Sequence, residues 1–158
     1  MRYPAAVIAL VSLQVAPAPA AAQRPVDAGA AVHPEAYIKV WNGGGSVRVE
    51  GWSADSVGVE GRVRGGPDAF FLHSDERAVK LGLQGAPDAA YGELVVRVPA
   101  TATVWIRTGS AGVTVRGLVG AVDVHSVSGA IDIAGRPSNA YAESMGGDVA
   151  LDLEAGIA

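Results

Sequence analysis

The sequence predicts an all-β chain built as a single-stranded parallel β-helix, and three observations carry that expectation. Segments repeat without a gap at an interval of 18 residues: Val104-Trp105-Ile106-Arg107-Thr108, Val122-Asp123-Val124-His125-Ser126 and Ala140-Tyr141-Ala142-Glu143-Ser144. Self-similarity at a fixed step is the mark of stacked units. Within each unit, apolar residues fall two apart in two stretches, as in Val104/Ile106 and Val113/Val115, which is the period of a strand with one buried face. The segments between those stretches, Gly109-Ser110-Ala111-Gly112, Val127-Ser128-Gly129-Ala130 and Met145-Gly146-Gly147-Asp148, suit tight turns and leave no room for a helix. Such units bury their apolar stripes by stacking in parallel, about 4.8 Å apart. The crossover preference of parallel strands makes a right-handed coil the expected one.

Taken in order, the chain opens with an export signal. Met1-Arg2-Tyr3 is a short basic start, Ala5 to Val15 an apolar stretch too short to span a bilayer, and Ala20-Ala21-Ala22 a small-residue cleavage site ahead of Gln23. Residues 1–22 are therefore expected to be removed, placing the mature chain in the periplasm, at the cell surface or outside the cell, with no membrane span after cleavage. Residues 23–35 contain Pro25, Gly29 and several alanines without periodicity and read as a linker. The β-helix domain is expected over 36–158, with irregular coils over 36–99 and regular coils over 100–153.

An early coil is expected at Tyr37 to Asn42 and Gly43 to Gly51, with Ile38, Val40, Val47 and Val49 facing inward. From Gly65 to Asp88 the 18-residue step is lost, Pro67 and Pro87 intervene, and at least one protruding loop is expected. Phe70-Phe71-Leu72, Val79 to Leu83 and Tyr91 to Val98 remain as strand candidates.

In the regular part the expected inward ladders are Val104/Val122/Ala140, Ile106/Val124/Ala142, Val113/Ile131/Val149 and Val115/Ile133/Leu151. The outward ladders are Trp105/Asp123/Tyr141, Arg107/His125/Glu143, Thr114/Asp132/Ala150 and Arg116/Ala134/Asp152. Gly156 and Ala158 fall where a further unit would begin, so the last coil is expected to be open. It would be continued by further coils or covered by another copy through self-association.

The segment Val96-Arg97-Val98-Pro99 leading into Ser126-Val127-Ser128-Gly129-Ala130-Ile131-Asp132-Ile133 resembles the DUF4097-type putative adhesins, exported proteins of strand, Ser-Gly turn, strand units. The resemblance runs from Tyr37 to Leu153. It implies a non-enzymatic binding or scaffolding role at the cell envelope, toward an envelope protein or a polysaccharide, and it implies no catalytic residues. The chain departs from the pattern at Thr108 to Gly112, where an extra alanine separates serine from glycine.

Composition and motif spacing narrow the chemistry. The chain has no cysteine, so neither disulfides nor a lipidated cysteine hold it, and a net charge of −4 without a basic patch argues against nucleic acid as a partner. His33, His73 and His125 share no ligand spacing for zinc. Calcium-binding nonapeptide rolls need aspartate where this chain has Ile131. Gly43-Gly44-Gly45 precedes a strand rather than a helix and reads as a turn, not a phosphate loop. No catalytic, cofactor or metal residue is assigned.

The candidate binding residues are Trp105 and Tyr141, exposed aromatics at equivalent outward positions, together with the Arg107, His125 and Glu143 ladder. Trp41 and Trp52 flank the early coil, and either a loop from Gly65 to Asp88 or the linker could cover these rings. The alternative class is a carbohydrate-binding or carbohydrate-cleaving β-helix. Cleavage would need outward carboxylates to converge, and Asp123 and Asp132 stand on different strands.

Overall fold

Alternation becomes strand wherever the sequence shows it. The structure, a computed structural model, describes residues 23–66, 68–85 and 89–154. The expected export signal and the positions Gly156 and Ala158 lie outside the described residues. The strands are β1 (Gln23–Ala31), β2 (Tyr37–Asn42), β3 (Gly44–Trp52), β4 (Ser56–Arg64), β5 (Phe70–Ser74), β6 (Ala78–Leu83), β7 (Tyr91–Pro99), β8 (Thr103–Thr108), β9 (Gly112–Arg116), β10 (Ala121–Ser126), β11 (Ile131–Gly135), β12 (Asn139–Ser144) and β13 (Val149–Leu153).

They form a seven-stranded sheet in the order β1-β4-β7-β3-β9-β11-β13 and a six-stranded sheet in the order β12-β10-β8-β2-β6-β5. The apolar residues of both sheets meet in one core that includes Ile38, Val40, Leu81, Leu94, Ile106, Ile131 and Ile133. Burying each of these side chains contributes about 1.5–3 kcal/mol.

From β8 onward the 18-residue units stack as the repeat requires. Val104 pairs with Val122 and Val122 with Ala140, while Ile131 lies between Val113 and Val149, all in parallel register. The early unit joins the same stack, because Ile38 pairs with Val104 and Val47 with Val113. Its inward residues Ile38, Val40, Val47 and Val49 are fully buried.

Serine fixes the turns that lead from the six-stranded sheet to the seven-stranded one. Ser126 Oγ accepts the Gly129 N–H at 2.9 Å and donates to the Gly109 carbonyl of the neighbouring unit at 3.3 Å. Ser144 repeats the arrangement with Gly147 and with the Gly129 carbonyl. One hydroxyl thus closes its own turn and ties it to the next unit, satisfying backbone groups that stacking would otherwise leave unpaired. The glycine is required by close approach, since a Cβ on Gly129 would run into the Ala111 carbonyl.

The chain as a whole is nevertheless not a single-stranded parallel β-helix. Both sheets are mixed: β1 with β4, β4 with β7 and β5 with β6 are antiparallel. The layers are two facing open sheets rather than continuous coils. The departure has local causes in the part of the sequence where the 18-residue step is lost. Asp75 Oδ1 accepts the N–H groups of Arg77 and Ala78 at 2.8 and 2.9 Å, an aspartate turn that folds β5 back on β6. These two backbone donors hold the Asp75 carboxyl below its ordinary range. Across the core, β7 inserts between β3 and β4, parallel to the first and antiparallel to the second.

The expected linker over 23–35 is corrected as well. Its first nine residues, Gln23–Ala31, are β1, paired along their whole length with β4. Alanine, glycine and proline are poor strand formers, so no alternation marked it. Backbone pairing to the edge of β4 recruits the segment, and Pro25 is tolerated because β1 is itself an edge. Likewise, the stretch from Gly65 to Asp88 is mostly not a protruding loop. It supplies β5 and β6, which extend the six-stranded sheet.

A candidate binding face on the six-stranded sheet

Strand alternation sends every second side chain of β2, β8, β10 and β12 outward, and the parallel register aligns them in rows across the sheet. One row reads Tyr141, Asp123, Trp105, Lys39, Lys80, His73, and the adjacent row reads Glu143, His125, Arg107, Trp41, Gly82, Phe71. All five residues predicted as binding positions, Trp105, Tyr141, Arg107, His125 and Glu143, stand on this face. Neighbours in a row are about 4.8 Å apart, so Trp105 and Tyr141 lie about two strand spacings from each other.

The two rows divide chemically along the sheet. Toward β12, His125 Nε2 lies 2.7 Å from Asp123 Oδ1 and its Nδ1 lies 3.4 Å from Glu143 Oε2. Tyr141 donates its hydroxyl to Glu143 at 3.1 Å and its ring meets the His125 ring at 5.4 Å. The hydrogen bond to a carboxylate, reinforced by the charge of Glu143, holds the Tyr141 phenol above its ordinary range.

Arg107 does not join this acidic group, although the ladder puts it beside His125. It turns back over the Trp105 ring, with its guanidinium carbon 4.6 Å from the centroid. Lys39 approaches the same ring at 5.5 Å and the Tyr37 ring at 5.4 Å. Cations over aromatic faces are held by the ring quadrupole, at about 0.5–1 kcal/mol when exposed.

The aromatic rings run on toward β5. Trp105 and Trp41 meet edge to face at 5.6 Å, Trp41 and Phe71 at 6.1 Å, and Phe71 and His73 at 5.7 Å. Gly82 sits in the row between Trp41 and Phe71, and a Cβ there would run into the Trp41 backbone. Its missing side chain lets the flanking rings close over the gap. A recess of about 280 Å³ opens beside Trp41 and Arg107, lined also by Leu83, Thr108 and Val127.

Among the described residues, neither of the expected covers lies on these rings. β1 pairs at the edge of the other sheet, and β5 lengthens the aromatic row instead of masking it. Trp52 does not belong to this face. It ends β3, stacks on Gly58 and donates its indole N–H to Ser56 at 2.8 Å.

Sequence reasoning found the β8, β10 and β12 part of the face from the repeat. It missed Phe71, His73 and Lys80, because the repeat gives no register for β5 and β6, and Lys39, because the pairing of β2 with β8 is not written in the repeat. The aspartate turn at Asp75 is the one local signal that could have placed Phe71 and His73 beside β6.

Among the described residues, no group of three or more His, Asp or Glu converges as a metal site would, and no helix is long and apolar enough to cross a membrane. No protein-family model and no curated protein matches the chain. Solved structures similar to it include a putative cell adhesion protein from Clostridium sporogenes ATCC 15579, 7% identical with a TM-score of 0.45, the match covering 83% of this chain and 100% of that one. A putative adhesin from Parabacteroides distasonis ATCC 8503 is 13% identical with a TM-score of 0.41, covering 83% of this chain and 71% of that one. A putative adhesin from Parabacteroides merdae ATCC 43184 is 12% identical with a TM-score of 0.33, covering 83% of this chain and 92% of that one.

Proposed function

We propose that this protein is an exported, non-enzymatic binding protein of the adhesin-like, DUF4097 type, acting at the cell envelope or surface, and that it engages polysaccharide through the outer face of its six-stranded sheet. The observation that carries the reading is the unbroken line of partly exposed rings from Trp105 through Trp41 to Phe71 on the outer face of one sheet. Aromatic faces present large apolar area with little conformational entropy to lose, and flat sugar rings stack on them. Export rests on the apolar stretch Ala5 to Val15 and the alanine site before Gln23. A non-enzymatic role fits the carboxylates of the face: Asp123 and Glu143 are both engaged with His125 rather than spaced across a cleft.

The test is binding of the mature chain to a panel of immobilised polysaccharides, with reducing ends assayed in parallel. Retention that falls at least about tenfold in Trp105→Ala, with no new reducing ends, is the expected result; tenfold corresponds to about 1.4 kcal/mol. Retention on no polysaccharide, or release of reducing ends, would overturn the reading.

A further inference from the structure

We infer that the polysaccharide is a uronic-acid polymer, its chain lying across the strands from β8 to β5 with its carboxylates on Lys39, Lys80 and Arg107. This inference rests on the proposed binding face and specifies its ligand.

Among the described residues, cations are left unpaired on a face whose rows also carry acids. On the seven-stranded sheet, three of the outward cations have carboxylate partners, Arg48 with Glu50 at 2.8 Å, Arg97 with Glu50 and Glu60 at 3.4 Å, and Arg116 with Asp132 at 3.0 Å, while Arg62 and Arg64 on β4 make none among the described residues and Arg64 lies over the Tyr91 ring. On the six-stranded sheet, Lys39, Lys80 and Arg107 make no ion pair among the described residues, and acids stand within the same rows. Asp123 and Glu143 are held to His125 and Tyr141 instead, and Arg107 faces away from them onto Trp105. The face is thus segregated into an acidic end over β10 and β12 and a cationic, aromatic tract over β8, β2, β6 and β5.

That tract has the chemistry of a carboxylated sugar. Trp105 carries two cations against its ring, Lys39 at 5.5 Å and the Arg107 guanidinium at 4.6 Å from the centroid, so a sugar placed at this ring brings its carboxylate within reach of both. An arginine fork and a planar carboxylate match in geometry and charge. Further along the same row, Lys80 and His73 stand beside each other, next to Phe71. Across the strands, β8 carries Trp105 and Arg107, β2 Lys39 and Trp41, β6 Lys80 and β5 Phe71 and His73, so a polymer lying that way meets a ring or a cation at each strand spacing. The acidic end at Asp123 and Glu143 repels the same polymer and sets the limit of the tract at β8.

Polygalacturonate and its fully methyl-esterified form separate the claims, since they share a backbone and differ in charge, and dextran sulfate supplies a polyanion without uronate. Expected are retention of the mature chain on polygalacturonate, loss of at least about tenfold on esterification, and a comparable loss in Lys39→Gln/Arg107→Gln; tenfold is about 1.4 kcal/mol. Dextran sulfate should bind more weakly and be insensitive to Trp105→Ala. Far-ultraviolet circular dichroism and the melting temperature confirm that each variant is folded. Equal retention of both galacturonate forms, with loss in Trp105→Ala, would overturn the uronate assignment while leaving the binding face standing. Dextran sulfate bound as tightly as polygalacturonate, or Lys39→Gln/Arg107→Gln binding like the parent, would also overturn it. Retention of neither polymer nor of any other polysaccharide would sink the proposed function itself.

Discussion

Truncating one inward residue at three depths along the stack should produce a gradient of stability that reports how the layers are closed. Ile106 lies on β8, the third strand from one edge of its six-stranded sheet and the fourth from the other, and is fully buried; Ile131 on β11 is 1% exposed; Leu151 on β13, at the outer edge, is 47% exposed. Removing a buried isoleucine down to alanine costs about 2–5 kcal/mol, and the figure depends on how far the surroundings can relax into the cavity. Ile106 is enclosed on both sides by Val40 and Val124, both fully buried, so Ile106→Ala should cost about 4 kcal/mol. Ile131 has buried Val113 on one side but half-exposed Val149 on the other, so Ile131→Ala should cost about 2–3 kcal/mol. Leu151 retains about half its exposure after folding, so Leu151→Ala should cost about 1 kcal/mol. The outward neighbour is the control: Asp132 is half-exposed and paired with Arg116 at 3.0 Å, so Asp132→Ala should cost less than about 1 kcal/mol. Urea denaturation gives each value from the shift in midpoint at constant slope. If Leu151→Ala proved as costly as Ile106→Ala, or Asp132→Ala as costly as Ile131→Ala, the assigned end or the assigned register would be wrong.

Other consequences can be checked separately. Gly129→Ala should destabilise by about 1–3 kcal/mol, because its Cβ meets the Ala111 carbonyl, whereas Gly112→Ala, with its nearest neighbour 4.0 Å away, should be close to neutral; melting temperatures of the pair decide. The Tyr141 phenol should ionise above its ordinary value near 10, and Glu143→Gln should bring it back down, as followed by tyrosinate absorbance. Since the folded value is the higher one, any stability from this hydrogen bond is present below the ordinary phenol value and is lost as pH rises through the folded value. Among the described residues, Val149, Leu151 and Leu153 expose apolar surface on the outermost strand of the seven-stranded sheet, while β12 leaves its backbone edge open on the six-stranded one. Concentration-dependent self-association is expected in sedimentation, reduced by Leu151→Lys; a monomer at all concentrations would contradict it.

The fold was legible where period and register coincide. The repeat placed Ile106, Ile131 and their partners in the core, and it placed Trp105, Arg107, His125, Tyr141 and Glu143 on one outer face. It also suggested a coil wound throughout the chain, and there it misled. Strand alternation alone carries no information on direction, and the two facts that make the sheets mixed are not periodic. One is a single aspartate turning β5 onto β6, the other a late strand, β7, slipping between β3 and β4. The same limit hid half of the proposed binding face. Lys80, Phe71 and His73 acquire their places only through the β5–β6 hairpin, and Lys39 becomes a neighbour of Trp105 only because β2 pairs directly with β8. The acidic ladder was visible in sequence, but the turning of Arg107 away from it and onto Trp105 is a matter of side-chain geometry. β1 was illegible for another reason: its residues have little strand preference of their own and take their conformation from the edge they join.

The chain's three tryptophans allow the central claim, that ligand is bound on the outer face of the six-stranded sheet, to be measured without mutation. Trp41 and Trp105 meet at 5.6 Å within the aromatic row, whereas Trp52 stands at the end of β3 in the other sheet with its indole N–H held by Ser56. In a ¹⁵N-labelled sample titrated with polygalacturonate fragments, the indole N–H resonances of Trp41 and Trp105 should shift together along one saturation curve while that of Trp52 stays in place. A titration that moves Trp52 and leaves Trp41 and Trp105 unmoved would contradict the account.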